Sequence, residues 1–355
     1  MDPRPLAFLK QLLDAPGPSG FERHPARLWR QEAAGFGARV DTDVAGNVAA
    51  TVNPKGRPRV MFAGHLDEIG VMVVHIDEEG YVHFGPIGGW DSQVLVGQRV
   101  VLLGRNGPVP GVIGKKAIHM MKADERDKVS KITDLWIDVG AKTKAEAEGL
   151  LRIGDAGVIA ASLLELPNGR IVSRSIDNRV GAFVVLEALR RLAGAAPGVA
   201  ATAVGTTQEE ISYTGGGART SAFGLEPDAA VVVDVTHATD FPGAEKKEHG
   251  EFMLGGGPVI SRGSAVSNVV FEQLVAAAEA EKIPYRIEAA PRGTHTDAEN
   301  IYSVRRGVAT GLVSVPCRYM HSPNETVALA DLDHAAALLA AWARRLAPDT
   351  SFIPD

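Results

Sequence analysis

Cysteine is almost missing from the 355 residues: Cys317 stands alone, so no disulfide can form within the chain. Long apolar runs are missing too, and no stretch approaches the roughly 20 residues that a membrane-spanning helix needs, which excludes a membrane-embedded protein of that kind. There is no polybasic block. With 37 basic against 43 acidic residues and a formal net charge of −6, the chain lacks the electropositive face that nucleic acid requires as a partner. Internal repeats and low-complexity segments are lacking as well. The amino-terminal "MDPRPLAFLKQLLD" does not have the order of a secretory signal and reads as an amphipathic helix. These absences lead to the expectation of a soluble, cytoplasmic protein.

What is present is a composition of 45% hydrophobic and 23% charged residues, ordinary for a globular protein. The length exceeds the size at which one core stops growing, so one large domain carrying a second unit is expected. Two textures bear this out along the chain. Residues 4–14 and 22–35 read as helices, followed by strands in "RVDTDVAGNVAATVN" and "RPRVMFAGHLDEIG". From Val71 to about Leu164, short alternating runs broken by Gly, Pro and Asn-Gly suit a small antiparallel barrel or sandwich. Beyond Ile171, helices and strands alternate on a longer scale, from "NRVGAFVVLEALRRLAG" and "VAATAVGTT" to the closing "LDHAAALLAAWARRLA". The fold class is therefore α/β interrupted by an inserted β unit.

Polar residues gather where these strands end, the place where open α/β sheets build their sites. His65 and Asp67 follow "VMFAG", Glu209 and Glu210 follow "VAATAV", Asp234 follows "AVVV", and His321 follows "GLVSVPCRYM". Asp177 sits in "SRSIDNRVG" at a helix start, where taken alone it reads best as a cap. "HLDE" on its own is compatible with a solvated strand end, and His321 before "SPNET" with a decorated turn. Asp234 resists such a reading, because an unpaired acid inside an apolar strand is costly. Adjacent glutamates in a half-buried loop likewise call for a compensating cation. Two histidines with several carboxylates and no thiolate suit Zn²⁺, Co²⁺ or Mn²⁺.

The ordered motifs "AGHLDEIG", "SIDNRVG", "TTQEEIS", "VVDVTHATD" and "RYMHSPNE" resemble the TET-type aminopeptidases, the forty-second family of metallopeptidases, relatives of glutamyl aminopeptidase some of which are labelled endoglucanases. The resemblance runs nearly end to end. It implies a mixed-sheet α/β/α catalytic domain of phosphorylase/hydrolase-like type over residues 1–70 and 165–355. It also implies an inserted β-barrel or PDZ-like dimerisation domain over 71–164, dimers that build a tetrahedral dodecamer, and peptide substrates. Carried over by residue, it implies two divalent ions per subunit: His65 and Asp234 on one, Glu210 and His321 on the other, Asp177 bridging, and Glu209 left free to handle the proton. Asp67, two residues after His65 on extended chain, is then placed to orient that imidazole.

Related metallohydrolases of carboxypeptidase or deacetylase type share such ligands, so they stand as alternatives. A glycosidase needs two carboxylates flanking one bond, about 5–9.5 Å apart, and has no use for the histidines. A non-catalytic shell protein would not need Glu209. The loop "THATDFPGAEKKEHGEFMLGGGP" and the segment "PRGTHTDAENI", with His237 and His295, are expected to wall the specificity pocket. In "LGGGP" the basic residue that often interrupts the glycines in the family is missing, so the family's charge preference does not transfer.

Overall fold

The computed structural model describes residues 3–195, 198–212 and 215–354. In chain order the strands are β1 (Arg39–Thr42), β2 (Val48–Val52), β3 (Arg59–His65), β4 (Gly70–Ile76), β5 (Val82–Ile87), β6 (Arg99–Gly104), β7 (Gly107–Gly114), β8 (Trp136–Asp138) and β9 (Ala156–Ile159). There follow β10 (Leu164–Leu166), β11 (Arg170–Ser173), β12 (Ala200–Thr206), β13 (Ala229–His237), β14 (Val259–Gly263), β15 (Arg286–Ala290), β16 (Ala309–Cys317) and β17 (Glu325–Ala328). Eight of them form one mixed sheet in the order β1-β2-β12-β3-β13-β16-β14-β15. Its centre is parallel, from β12 through β3 and β13 to β16, while β2 and β14 run antiparallel to their inner neighbours.

Both faces of this sheet are covered, which explains why its strands read as continuous apolar runs rather than alternating ones. Successive side chains still point to opposite sides. Phe62, Val231 and Val233 pack with the helices Ile176–Ala193, Asn268–Glu281 and Leu329–Arg345 on one face. Met61, Ala63 and Val232 pack with Ala218 and Ala222 of the helix Gly216–Leu225, and with Ala298 and Ile301 of the helix Asp297–Tyr302, on the other. Glycine brings the long helix Ile176–Ala193 hard against the sheet. A Cβ on Gly64 would lie 2.5 Å from the Gly181 carbonyl carbon, and one on Gly181 would lie 2.5 Å from the Val233 oxygen. That close approach sets Asp177, at the start of the helix, beside the end of β3.

Strands β4 to β9 close into a separate barrel in the order β4-β5-β8-β7-β6-β9, with its own core of Val71, Val73, Phe84, Leu102, Ile113 and Ile137. Alternation, as expected of an antiparallel element with one buried face, is clear in β7, where the buried residues are Val109, Gly111 and Ile113, whereas β9 is buried throughout. Sequence patterning did not reveal β14, which lies just beyond the glycine-rich loop, nor the three-stranded ribbon β10-β11-β17. These strands are five residues or fewer, too short for a period of two to register. The ribbon also bears on the expected boundary at 164/165, which falls within β10, a strand paired to β11. Among the described residues no helix is long and apolar enough to cross a membrane.

Candidate active site

The parallel centre of the sheet brings four strand ends together. His65 closes β3 in register with Thr206, the last residue of β12, and Asp234 lies on β13 opposite Ser314 of β16. Asp177 turns its carboxylate toward this junction rather than toward the start of its helix. One oxygen, Oδ1, lies 3.3 Å from His65 Nε2, and the other, Oδ2, lies 3.4 Å from His321 Nε2. His65 Nε2 also stands 3.9 Å from Asp234 Oδ1 and 3.7 Å from Glu209 Oε2, and His321 Nε2 stands 3.4 Å from Glu210 Oε2. Atoms of His65, Asp177 and Glu210 capable of ligating a cation all lie within 4.8 Å of one another. All the residues singled out from sequence therefore meet in one place.

Asp67 is buried and stands behind them. Its Oδ1 lies 3.3 Å from His65 Nδ1. It accepts hydrogen bonds from the Ser19 hydroxyl (2.6 Å) and from the backbone N–H groups of Glu209 (3.2 Å) and Glu210 (3.1 Å). One carboxylate thus fixes an imidazole orientation and the loop that carries both glutamates, leaving His65 Nε2 facing the junction.

Several supporting residues were not found from sequence. Glu325, buried on β17, accepts from the backbone N–H of His321 (2.9 Å) and of Asp177 (3.0 Å), joining two segments that are 144 residues apart. The barrel contributes too: the Gly89 carbonyl lies 2.8 Å from His321 Nδ1 and so turns His321 Nε2 inward. Glu68, next to Asp67, is paired with Arg174 and Arg179. Arg179 is fully buried and donates to the carbonyls of Leu66, Leu12 and Ala15, tying the amino-terminal helix to the end of β3. Without Arg179, Glu68 keeps only Arg174 and the carbonyls of Leu66, Leu12 and Ala15 lose their donor in a dry site, a loss on the order of the 3–5 kcal/mol that breaking a buried ion pair costs. Arg179→Met is accordingly expected to lower unfolding free energy by about that much in denaturant titration, and a loss under about 1 kcal/mol would show the cluster to be incidental.

The electrostatics are those of an acid cluster awaiting positive charge. Burial pushes Glu209 well above the usual carboxylate range, with Asp234, Asp297 and Glu210 adding to it against the pull of His65. Burial and the adjacent Asp177 do the same to Glu210. Asp234 is pushed up to about 8, mainly by burial. Burial also acts on Asp177, but hydrogen bonds from His321 and His65 outweigh it and hold that group below its ordinary value. Glu210 Oε1 is buried without a hydrogen-bonding partner. A buried orphan oxygen among mutually repelling carboxylates, with two imidazoles and no thiolate, is a donor set that fits divalent cations.

Beside the cluster opens a cavity of about 670 Å³. It is lined by His237, Pro291 and the stretch from Gly293 to Thr296, and by Leu312 and Ser314 of β16. A cluster able to hold cations and an open cavity therefore adjoin at the carboxyl ends of the strands.

Comparison with known proteins agrees with this arrangement. The family model for M42 glutamyl aminopeptidases matches residues 46–338. The lysyl aminopeptidase of Pyrococcus furiosus is 33% identical over 347 residues, covering 96% of this chain and 97% of that protein. The TET aminopeptidase of a marine sediment archaeon of the Thaumarchaeota superposes with a TM-score of 0.91 at 33% identity, covering 97% of this chain and 96% of that one. The TET1 peptidase of Pyrococcus horikoshii, which can assemble into a tetrahedron or a large octahedral shell, gives a TM-score of 0.85 at 29% identity, covering 96% and 100%. Since the family match spans the barrel and all four strand ends, the chain belongs to the M42 glutamyl aminopeptidase family and is an aminopeptidase, a hydrolase of peptide bonds.

Proposed function

We propose that the chain releases amino-terminal residues from peptides at a pair of divalent ions, with His65 and Asp234 holding one, Glu210 and His321 the other, and Asp177 shared between them. The observation that carries this reading is the divided carboxylate of Asp177, which faces one imidazole with each oxygen. When bound, such ions supply Lewis acidity and lower the pKa of water. Zn²⁺ suits the imidazole and carboxylate donors, and Co²⁺ or Mn²⁺ suit them as well.

Glu209 is the group assigned to the proton. It lines the cavity, its side chain is 14% exposed, and burial holds its carboxyl well above the usual carboxylate range, which raises its proton affinity for the exchange with water and the leaving amine. Asp67 and Glu325 are positioning residues. They hold His65, the glutamate loop, Asp177 and His321 in place and do not line the cavity. Metal-loaded protein is expected to hydrolyse aminoacyl p-nitroanilides and to leave their N-acetylated forms and a cellulosic substrate intact. Equal cleavage of the acetylated forms, or release of sugar, would remove the aminopeptidase mechanism.

The barrel is proposed as the surface on which copies of the chain meet. Its β7–β8 connection exposes Ile118 (56%), Met120 (73%) and Val129 (61%), apolar groups of the kind that protein contacts cover. Assembly of the Pyrococcus horikoshii relative supports this reading. The chain should sediment as a multimer, and charged substitutions at Met120 and Val129 should yield smaller species. A monomeric wild type would contradict it.

A further inference from the structure

We infer that the cavity selects a basic side chain, lysine or arginine, at the substrate's amino terminus, and that Glu288 is the residue that receives its charge. The inference rests on the aminopeptidase reading and names the substrate class of that site. Glu288 projects from β15, at the edge of the sheet, into the cavity beside the carboxylate cluster. Its carboxylate is held by two hydroxyls, Thr236 on β13 at 2.7 Å and Ser261 on β14 at 3.2 Å. Neither donor carries charge, and two hydrogen bonds leave about half of a carboxylate's lone-pair positions open.

The rest of the lining points the same way. Among the described residues that wall the cavity there is no lysine and no arginine, so no permanent cation there pairs with a substrate carboxylate. A glutamyl or aspartyl side chain would instead meet Glu288. Thr236 lies two residues beyond Asp234 on β13, roughly 7 Å along the strand. That is the scale of the four-carbon lysine stem, whose methylenes can lie along Leu312, Ala290 and Met320 while the ammonium reaches the acid. A charge-assisted hydrogen bond at a half-buried carboxylate is strong enough to discriminate about ten- to a hundredfold against an uncharged side chain of equal length.

Lysine and norleucine differ chiefly by the terminal ammonium, so they isolate the interaction. The test measures kcat/KM of the metal-loaded protein for lysyl, norleucyl and glutamyl p-nitroanilides, together with inhibition by free L-lysine and L-norleucine. Wild type is expected to favour lysyl over norleucyl by at least about tenfold and to bind lysine more tightly than norleucine. In Glu288→Gln both ratios should fall toward one, and Glu288→Lys should raise the glutamyl-to-lysyl ratio. A wild-type ratio near one, or ratios that Glu288→Gln leaves unchanged, would overturn the assignment while the aminopeptidase reading stands on continued norleucyl hydrolysis. Absence of hydrolysis of every aminoacyl substrate by wild type would instead sink that reading, and the assignment with it.

Discussion

Glu209→Gln is expected to keep its divalent ions and lose about 10²–10⁴-fold in turnover. The amide is nearly isosteric, cannot accept the proton, and occupies a position whose backbone N–H is already fixed by Asp67. The loop should therefore hold its shape, and His65, Asp177 and Asp234 should keep their places around it. Glu210→Gln provides the contrast. Its carboxylate lies 3.4 Å from His321 Nε2 and carries the orphaned oxygen, so the loss there should appear first in metal content and only then in rate. If Glu209→Gln turns over at more than about a tenth of the wild-type rate, the proton passes through another group.

Removing the cations should have an equally large effect, abolishing hydrolysis until Zn²⁺ or Co²⁺ is returned. The donor set leaves a second signature in the metal-free protein. Asp234 is pushed from 3.8 up to about 8, so its folded state binds a proton more tightly than its unfolded state. Such a group contributes stability that is complete below the unfolded pKa and is lost as pH rises through the folded one. The thermal midpoint of demetallated protein should therefore fall between about pH 4 and pH 8 relative to the loaded protein, whose bound charge suppresses the shift. Full activity without metal, or an identical pH profile for both forms, would count against the assignment.

The parts of this site that were legible in the sequence share one physical origin. A parallel strand buried on both faces is mostly apolar until it ends, so His65 and Asp234 stand out as the first polar residues after apolar runs, and Glu209 and Glu210 as the first charged residues beyond β12. Asp177 was harder, because an Asp at a helix start has an ordinary use as a cap. Its direction became clear only from the packing of Gly181 against Val233, which brings that helix down onto the strand ends. Glu325, Glu68 and Arg179 stand inside the quoted motifs, but their roles, like those of Arg174 and the Gly89 carbonyl, left no sequence signal, since each acts across more than 100 residues or through its backbone. Glu325 does lie four residues after His321, the spacing at which its carboxylate closes back on the His321 N–H, but that pattern is common in turns. Glu288 was invisible for a different reason. In "YRIEAA" it reads as the exposed face of an edge strand, and only the curl of the sheet brings it to Thr236.

The most direct test is metal content per subunit, measured by elemental analysis on wild type, Glu209→Gln and Asp177→Asn after loading with Zn²⁺ and removal of excess. Two ions in wild type, two in Glu209→Gln and a marked loss in Asp177→Asn is the expected result, because among the described residues Asp177 alone faces both imidazoles. One ion in wild type, or equal losses in Glu209→Gln and Asp177→Asn, would contradict a bridged pair with a free glutamate beside it.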